Sequence, residues 1–479
     1  MATVAAPPTT ERIYLDGEWI DTGSHLEVRS PYSGEVVAKV ARAGAAEARR
    51  AVDAAARAMR DPLPSWQRAE ILDGVAALIK ERNEELGRAI SAEAGKPIKN
   101  ARIESARAVN TYTLSAGEAR RLAGDVVPIT GTQPGAGHIA WTVRVPIGVI
   151  GAITPFNFPL NLVAHKLAPA LAAGCAVVLK PASQTPVSAL RLAAICEEAG
   201  LPAGWLHVLP GSAAEIGQVL VEDDRVRMIT FTGSSEVGWG IRSRAARKKV
   251  SLELGNASPV IVEADADLEL AASKVATHAF SFAGQTCVSV QRVYVRREVF
   301  DDFMGRLVPK VEALRVGDPG EDTTDVGPVI DRGSHDRILA WIEEARVGGA
   351  TVATGGVEED GLIRPTVLTG VAPEMKVCSQ EIFGPVCSVV PYDSLEEAFA
   401  LANSTEYGLQ SAIFTRSIEP AVKATAGLEF GSVMINEAPE WRVDQMPYGG
   451  TKASGNTKEG PAYAVREMTE ERLVVLGGV

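Results

Sequence analysis

The chain has 479 residues, 46% of them hydrophobic, and a formal net charge of −12; its mean hydropathy is near zero. That length supports two or three lobes with large cores, and the acidic balance argues against a nucleic-acid-binding surface, which attracts phosphates through a basic patch. Cys175, Cys196, Cys287, Cys378 and Cys387 form no Cys-x-x-Cys pair and have no ligand spacing with the six histidines, so neither a disulfide framework nor a zinc site is supported.

The first ten residues lack the basic start and long apolar core of a signal peptide and read as a short flexible arm, so the chain is expected in the cytoplasm. Residues 43–59 and 66–82 are amphipathic; in the second, Ile71, Val75, Leu78 and Ile79 recur at helical spacing, and both are predicted helices. The longest apolar stretch, residues 167–179, contains Pro169 and Gly174 and falls short of the roughly 20 residues that span a bilayer. It reads as a buried helix running into a buried strand, with no membrane partner. From Val145 onward, strands predicted at residues 176–180 and 228–231 alternate with helices at residues 188–199 and 235–246. This rhythm predicts a parallel sheet covered by helices. After Glu253 it begins again: strands at residues 260–262 and 292–295, helices at residues 268–282 and 300–314, hence a second α/β lobe. The basic run at residues 244–249 reads either as a solvated helix end or as a contributor to cofactor phosphate binding.

A cysteine after Gly-Gln is weak evidence of chemistry when taken alone, because most lone cysteines are inert and buried. Here Cys287 follows Glu253-Leu-Gly255 in a chain that also carries Ile153-Thr-Pro-Phe-Asn157-Phe-Pro159, Lys180-Pro-Ala-Ser183 and Phe231-Thr-Gly-Ser234. Downstream come Gln380-Glu-Ile-Phe-Gly-Pro385 and Pro447-Tyr-Gly-Gly-Thr-Lys-Ala-Ser-Gly455. In that order, from about Tyr14 to the C-terminus, these segments resemble the aldehyde dehydrogenase superfamily. The resemblance implies an α/β fold with a Rossmann-type dinucleotide-binding domain over residues 1–124 and 145–252 and an α/β catalytic domain over residues 253–464. A β-ribbon oligomerisation arm would take residues 125–144 and 465–479, with a homodimer or homotetramer as the assembly.

The resemblance also implies roles. Cys287 attacks the aldehyde to give a thiohemiacetal, oxidation yields a thioester, and water activated by Glu253 releases the acid. A mixed polar loop beside a cationic nicotinamide is expected to depress the thiol pKa, and Gly255 is expected to let the backbone turn tightly beside Glu253. Asn157 reads as an oxyanion donor beside the Cys287 N–H, or else as a turn residue capping a helix. The family's usual Gly-Gly-Lys-Ser-Pro continuation is replaced by Gly255-Asn256-Ala257-Ser258-Pro259. A CoA-acylating relative commonly lacks the hydrolytic glutamate, so Glu253 counts against that chemistry; the intact set counts against a protein that kept the fold and lost activity.

No Gly-x-Gly-x-x-Gly follows a predicted strand, so cofactor binding is assigned by resemblance to Ile153, Thr154, Pro155, Lys180, Ser183, Gly233, Ser234, Leu254, Glu381 and Phe383. Gly233 and Ser234 open a helix whose N-terminus suits a pyrophosphate. The cofactor is NAD or NADP. Ser183 stands where NAD-preferring relatives commonly carry a glutamate that repels a 2′-phosphate, so NADP is expected to be accepted.

For the substrate, the resemblance places Phe158, Thr286 and Val288 in the pocket with Arg107 and Arg442, two guanidiniums suited to an anion on the aldehyde's distal end. The bland alternative is a pair of surface arginines in salt bridges. His165 is either a further polar contact or a packed histidine satisfied locally. Thr286 replaces the arginine that relatives acting on phosphorylated glyceraldehyde or phosphonoacetaldehyde commonly place before the nucleophile. The expected substrate is therefore a small hydroxylated or anionic aldehyde of the lactaldehyde, semialdehyde or sulfolactaldehyde type; alternatives are a phosphonoaldehyde or a broad range.

Overall fold

The computed structural model describes residues 8–478. The dinucleotide-type sheet is built from five parallel strands in the spatial order Lys249–Glu253, Val226–Thr232, Val149–Ile153, Val177–Lys180 and Leu206–Val208. An antiparallel pair, Ile13–Leu15 and Glu18–Ile20, extends the far edge. The chain starts at the central strand Val149–Ile153, fills one side, then crosses to Val226–Thr232 on the other. A crevice therefore opens at the C-terminal strand ends where the order reverses, and ligands of such sheets bind in that crevice. Helix Asn161–Ala173 is buried on every side, which explains its apolar character all round, and Gly174 ends it with φ +86°.

A second sheet runs Thr351–Thr354, Thr366–Thr369, Val386–Tyr392, Val290–Arg296, Ser258–Val262, Gln410–Phe414 and Ser432–Ile435. It is parallel except at its first strand. Only residues 254–257 separate strand Lys249–Glu253 of one sheet from the interior strand Ser258–Val262 of the other. Three further strands, Val126–Val127, His138–Pro146 and Thr469–Gly477, form a separate antiparallel ribbon.

Several expectations need correction. Residues 1–7 of the predicted flexible arm lie outside the described residues, but Thr9–Glu11 is a strand paired parallel with Val36–Ala41, because the neighbouring strand offers an open edge for its amides. The helix expected over residues 268–282 stops at Phe280: Phe282, Ala283 and Gly284 take φ values of 48°, 53° and 69°, which no right-handed helix accommodates. The basic run is not at the cofactor crevice. Lys249 pairs with Met228 at the strand starts, whereas Glu253 pairs with Thr232 at the crevice end, and Lys248 Nζ donates to the Leu220 carbonyl at 3.2 Å. Among the described residues, no helix is long and apolar enough to cross a membrane.

Candidate active site

The seam between the sheets brings Glu253 and Cys287 to one place. Glu253 is the last residue of strand Lys249–Glu253, and Cys287 sits in the loop entering strand Val290–Arg296. That loop is held in a strained turn, since each non-glycine residue in the left-handed region costs about 1–3 kcal/mol. Buried Gln285 holds it: its amide donates to the Phe282 carbonyl at 3.2 Å and accepts from the Ile330 N–H at 2.8 Å. Gly284 is required there, because a Cβ would collide with the Gly384 carbonyl.

Cys287 Sγ lies 2.8 Å from Tyr448 Oη. Its side chain remains partly exposed on a cavity wall, yet burial pushes the thiol up to about 12; the Tyr448 hydrogen bond lowers it, and Glu381 raises it further. The loop by itself therefore does not depress the thiol pKa, because surrounding apolar atoms remove more water than nearby dipoles replace, and a depression would have to come from the cationic nicotinamide that the expectation included. Glu253 is 3% exposed, and neither carboxyl oxygen has a hydrogen-bond partner. Burial first and repulsion from Glu459 second raise it well above the usual range, while Lys166, Arg442 and Lys458 pull it back. Gly255 does not need a left-handed φ. It is required by proximity, since a side chain there would strike the Glu381 carboxylate. Asn157 Nδ2 donates to the Gln285 carbonyl at 2.9 Å, leaving its second N–H free, and its Oδ1 has no partner. Helix Asn161–Ala173 is capped at Leu160, so Asn157 is not its cap.

A cavity of about 340 Å³ opens onto the thiol, and Arg107, Phe158, Thr286, Val288 and Arg442 line it with Cys287. His165 does not: it is buried behind the wall, 3.1 Å from Asp444 and 3.3 Å from Arg442. Its place in the substrate pocket is corrected to one of support, because fully buried helix Asn161–Ala173 turns it inward. Both arginines are paired. Arg107 Nη2 donates to Asp444 Oδ1 at 2.9 Å, and Arg442 Nη2 to Glu459 Oε2 at 3.1 Å. Both Nε atoms nevertheless lack partners. Arg442 also stacks 3.8 Å over the Tyr448 ring.

Sequence reasoning missed Lys96, Glu104, His278, Glu440 and Tyr448, which line the same cavity. Buried Lys96 pairs with Glu104 and sits 3.6 Å from the Phe158 ring centroid; His278 pairs with Glu440 at 2.8 Å. Tyr448 was visible within the quoted Pro447-Tyr-Gly-Gly segment. The others lie in helices and a loop with no local signature.

Around the crevice, the residues present fit a dinucleotide. Lys180, 6% exposed, has no hydrogen bond or ion pair among the described residues, and burial lowers its pKa. An ammonium in that position is suited to ribose oxygens or phosphate. The Thr154 and Thr232 hydroxyls at adjacent strand ends are buried without partners, and Ile153 and Pro155 flank Thr154. Helix Ser235–Arg244 begins after Gly233 and exposed Ser234, so its first amides face outward. Leu254 is buried against Gly238 of that helix. Ser183 is half-buried, its hydroxyl donating to the Gly211 carbonyl at 3.1 Å. Glu381 accepts from the Asn256 N–H at 2.9 Å and is raised to about 7 by burial. Phe383, at φ 48°, packs edge-on to Phe156 at 5.8 Å.

Comparison with known proteins gives this geometry its family. Residues 19–474 match the model of the aldehyde dehydrogenase family. The chain is 46% identical to a 3-sulfolactaldehyde dehydrogenase of Priestia aryabhattai over 97% of both chains. It is 39% identical to a lactaldehyde dehydrogenase of Methanocaldococcus jannaschii, over 97% of this chain and all of that one. Among solved structures, aldehyde dehydrogenase 21 from Physcomitrella patens, in complex with the reaction product succinate, superposes with a TM-score of 0.95 at 38% identity over 99% of both chains. The chain belongs to the aldehyde dehydrogenase family and is an oxidoreductase that oxidises an aldehyde with NAD or NADP as acceptor.

Proposed function

We propose that the protein oxidises a small aldehyde bearing one distal negative charge, of the sulfolactaldehyde or semialdehyde type, to its carboxylic acid. The observation that carries this reading is that Arg107 and Arg442 line a cavity that opens onto the Cys287 thiol. Guanidiniums in a cavity wall suit a carboxylate or sulfonate. Each arginine already faces a carboxylate, so the wall offers an anion shared hydrogen bonds more than free positive charge, and Thr286 adds no cation. A phosphonoaldehyde dianion is disfavoured on that ground. Two relatives' names support this reading, one a 3-sulfolactaldehyde dehydrogenase and one solved with succinate, whereas the lactaldehyde dehydrogenase is named for an uncharged aldehyde.

In the reaction we propose, the Cys287 thiol gives up its proton to solvent, with the Tyr448 hydroxyl donating to the sulfur as its negative charge develops, and the sulfur electron pair then bonds to the carbonyl carbon. The carbonyl π bond breaks toward oxygen, and the resulting oxyanion is stabilised by the free Asn157 N–H and the Cys287 backbone N–H; one such donor is typically worth about 3 kcal/mol of barrier. Bound NAD(P)+ contributes the acceptor for the hydrogen and two electrons that leave the adduct carbon. Lys180, Ser183, Thr154, Glu381 and Phe383 would hold it, with Gly233 and Ser234 at its phosphates. Glu253, buried and without a partner, takes a proton from the water that attacks the Cys287 thioester; the acid leaves and the thiol is restored. Residues 1–124 and 145–252 thus serve the cofactor and residues 253–464 the acyl chemistry.

Absence of an acid at Ser183 supports acceptance of NADP+ beside NAD+. The exposed Val126, Leu473 and Val475 on the three-stranded ribbon support its use in a homodimer or homotetramer, which sedimentation measures. The test of the function is steady-state kinetics with sulfolactaldehyde, succinic semialdehyde, lactaldehyde, phosphonoacetaldehyde and propanal, using both cofactors. The monoanions should give the highest kcat/KM, and NADP+ should support turnover. Equal values for propanal would refute the anion reading, and a strict NAD+ requirement would refute the reading of Ser183.

A further inference from the structure

Behind the cavity wall, one carboxylate gathers groups from three separate elements. Asp444 Oδ1 accepts from Arg107 Nη2 at 2.9 Å and lies 3.1 Å from His165 Nε2. Arg107 belongs to helix Ile98–Arg121, His165 to helix Asn161–Ala173, and Asp444 to the loop after strand Ser432–Ile435. The side chains of Asp444 and His165 are 2% and 0% exposed, so neither interaction is diluted by solvent. Burial alone would raise the Asp444 carboxyl, but the His165 hydrogen bond and Arg107 pull it below the usual range, keeping it an acceptor. Burial and Arg442 lower the His165 pKa. A neutral ring has one N–H, and the carboxylate claims it at Nε2. Arg442 Nη2, itself only a donor, lies 3.3 Å from that same nitrogen as a packing contact and not a hydrogen bond.

We propose that Asp444, through His165, is a specificity-determining positioning pair. Asp444 holds the Arg107 guanidinium by a charged hydrogen bond, and His165, oriented by Asp444, packs the Arg442 guanidinium in its place in the cavity wall. This rests on the proposed function, in which those arginines bind the anion. The brace has a distinctive sign. If Asp444 were only a nearby negative charge, neutralising it would strengthen anion binding by removing repulsion. As a brace, its loss frees the guanidiniums to take other rotamers, and anion binding weakens although the wall becomes more positive.

The test alkylates Cys287 with iodoacetate and with iodoacetamide and takes the ratio of the two rates, in which thiol accessibility and ionisation cancel. KM values for succinic semialdehyde and propanal are measured alongside. Asp444→Asn should lower the iodoacetate-to-iodoacetamide ratio about tenfold and raise the KM for succinic semialdehyde by a similar factor, the scale of one lost charged hydrogen bond. The propanal KM should change by less than about twofold on that same scale. A ratio that is unchanged or increased overturns the brace. His165→Leu should lower the ratio and His165→Gln, which keeps a donor, should restore it. Equal ratios in these two variants overturn the brace even if Asp444→Asn fails to fold. Arg107→Gln and Arg442→Gln separate the two levels: if they lose anion selectivity while Asp444→Asn keeps it, the brace fails and the anion site stands. If they keep it, the anion site itself fails.

Discussion

The two ends of the substrate cavity treat polarity in opposite ways. At the reacting end, both oxygens of Glu253, the Oδ1 of Asn157 and the hydroxyl of Thr286 are buried without partners. At the recognition end, Arg107, Arg442, Lys96 and His278 each face a carboxylate, although the Nε atoms of both arginines lack partners. An unsatisfied buried group is costly, on the order of 1–3 kcal/mol, and it persists where a transient species is to be met. A paired charge holds its geometry and can share a hydrogen bond with an incoming anion without reorganising. The reacting end is thus tuned by what is withheld from it, and the recognition end by what is already supplied.

Removing the nucleophile tests the reacting end most severely. Cys287→Ala should lower turnover at least about a thousandfold, while fluorescence titration shows cofactor binding unchanged; retained steady-state turnover breaks the assignment. Glu253→Gln should cost about 10²–10⁴-fold in steady-state rate yet keep an initial burst of reduced cofactor in stopped flow, because only thioester hydrolysis is stalled. The same variant tests the withheld-partner idea through stability. The folded-state pKa of Glu253 is raised, so its contribution is fully present below the unfolded value and lost as pH rises through the folded one. The Tm gain of Glu253→Gln should therefore grow from about pH 5 to about pH 9. A gain independent of pH contradicts a buried, titrating acid.

At the recognition end, Arg107→Gln should weaken binding of an acidic aldehyde by about 1.5–3 kcal/mol, read as KM, with little change for propanal. An equal loss for both substrates would mean that the arginine serves packing. The smallest effect is expected from Thr286→Val. It removes an orphan hydroxyl with little change of volume and should stabilise the fold by about 1 kcal/mol or less; a lower Tm would show that the hydroxyl has a partner in solution. The pH–rate profile joins the two ends. Burial pushes Cys287 up to about 12 in the protein alone and raises Glu253, so kcat/KM should climb with pH through the neutral range. A profile flat from about pH 6 to about pH 9 would show that bound ligands fully reset the thiol.

Periodicity alone made most of the helices legible, as at Ser65–Glu81, where Ile71, Val75 and Ile79 are buried as their spacing required. Strand–helix alternation gave the two sheets for the same reason: a repeat of apolar residues states which face must leave water. The left-handed turn at Phe282 and Ala283 was not legible, because neither residue type favours it. Contacts from Gln285 to distant Pro328 and Ile330 impose it.

From its residues alone, the chain determined the family, the α/β architecture, and the identity of the cysteine, glutamate and asparagine at the seam, since each is carried by a local motif. Tertiary structure decided how those groups are charged and held. Burial, which sequence spacing does not encode, raises Cys287 and Glu253. Asp444 reaches Arg107 across 337 positions and His165 across 279. Such partners share no stretch of chain, and only the folding of three elements around one cavity makes them neighbours.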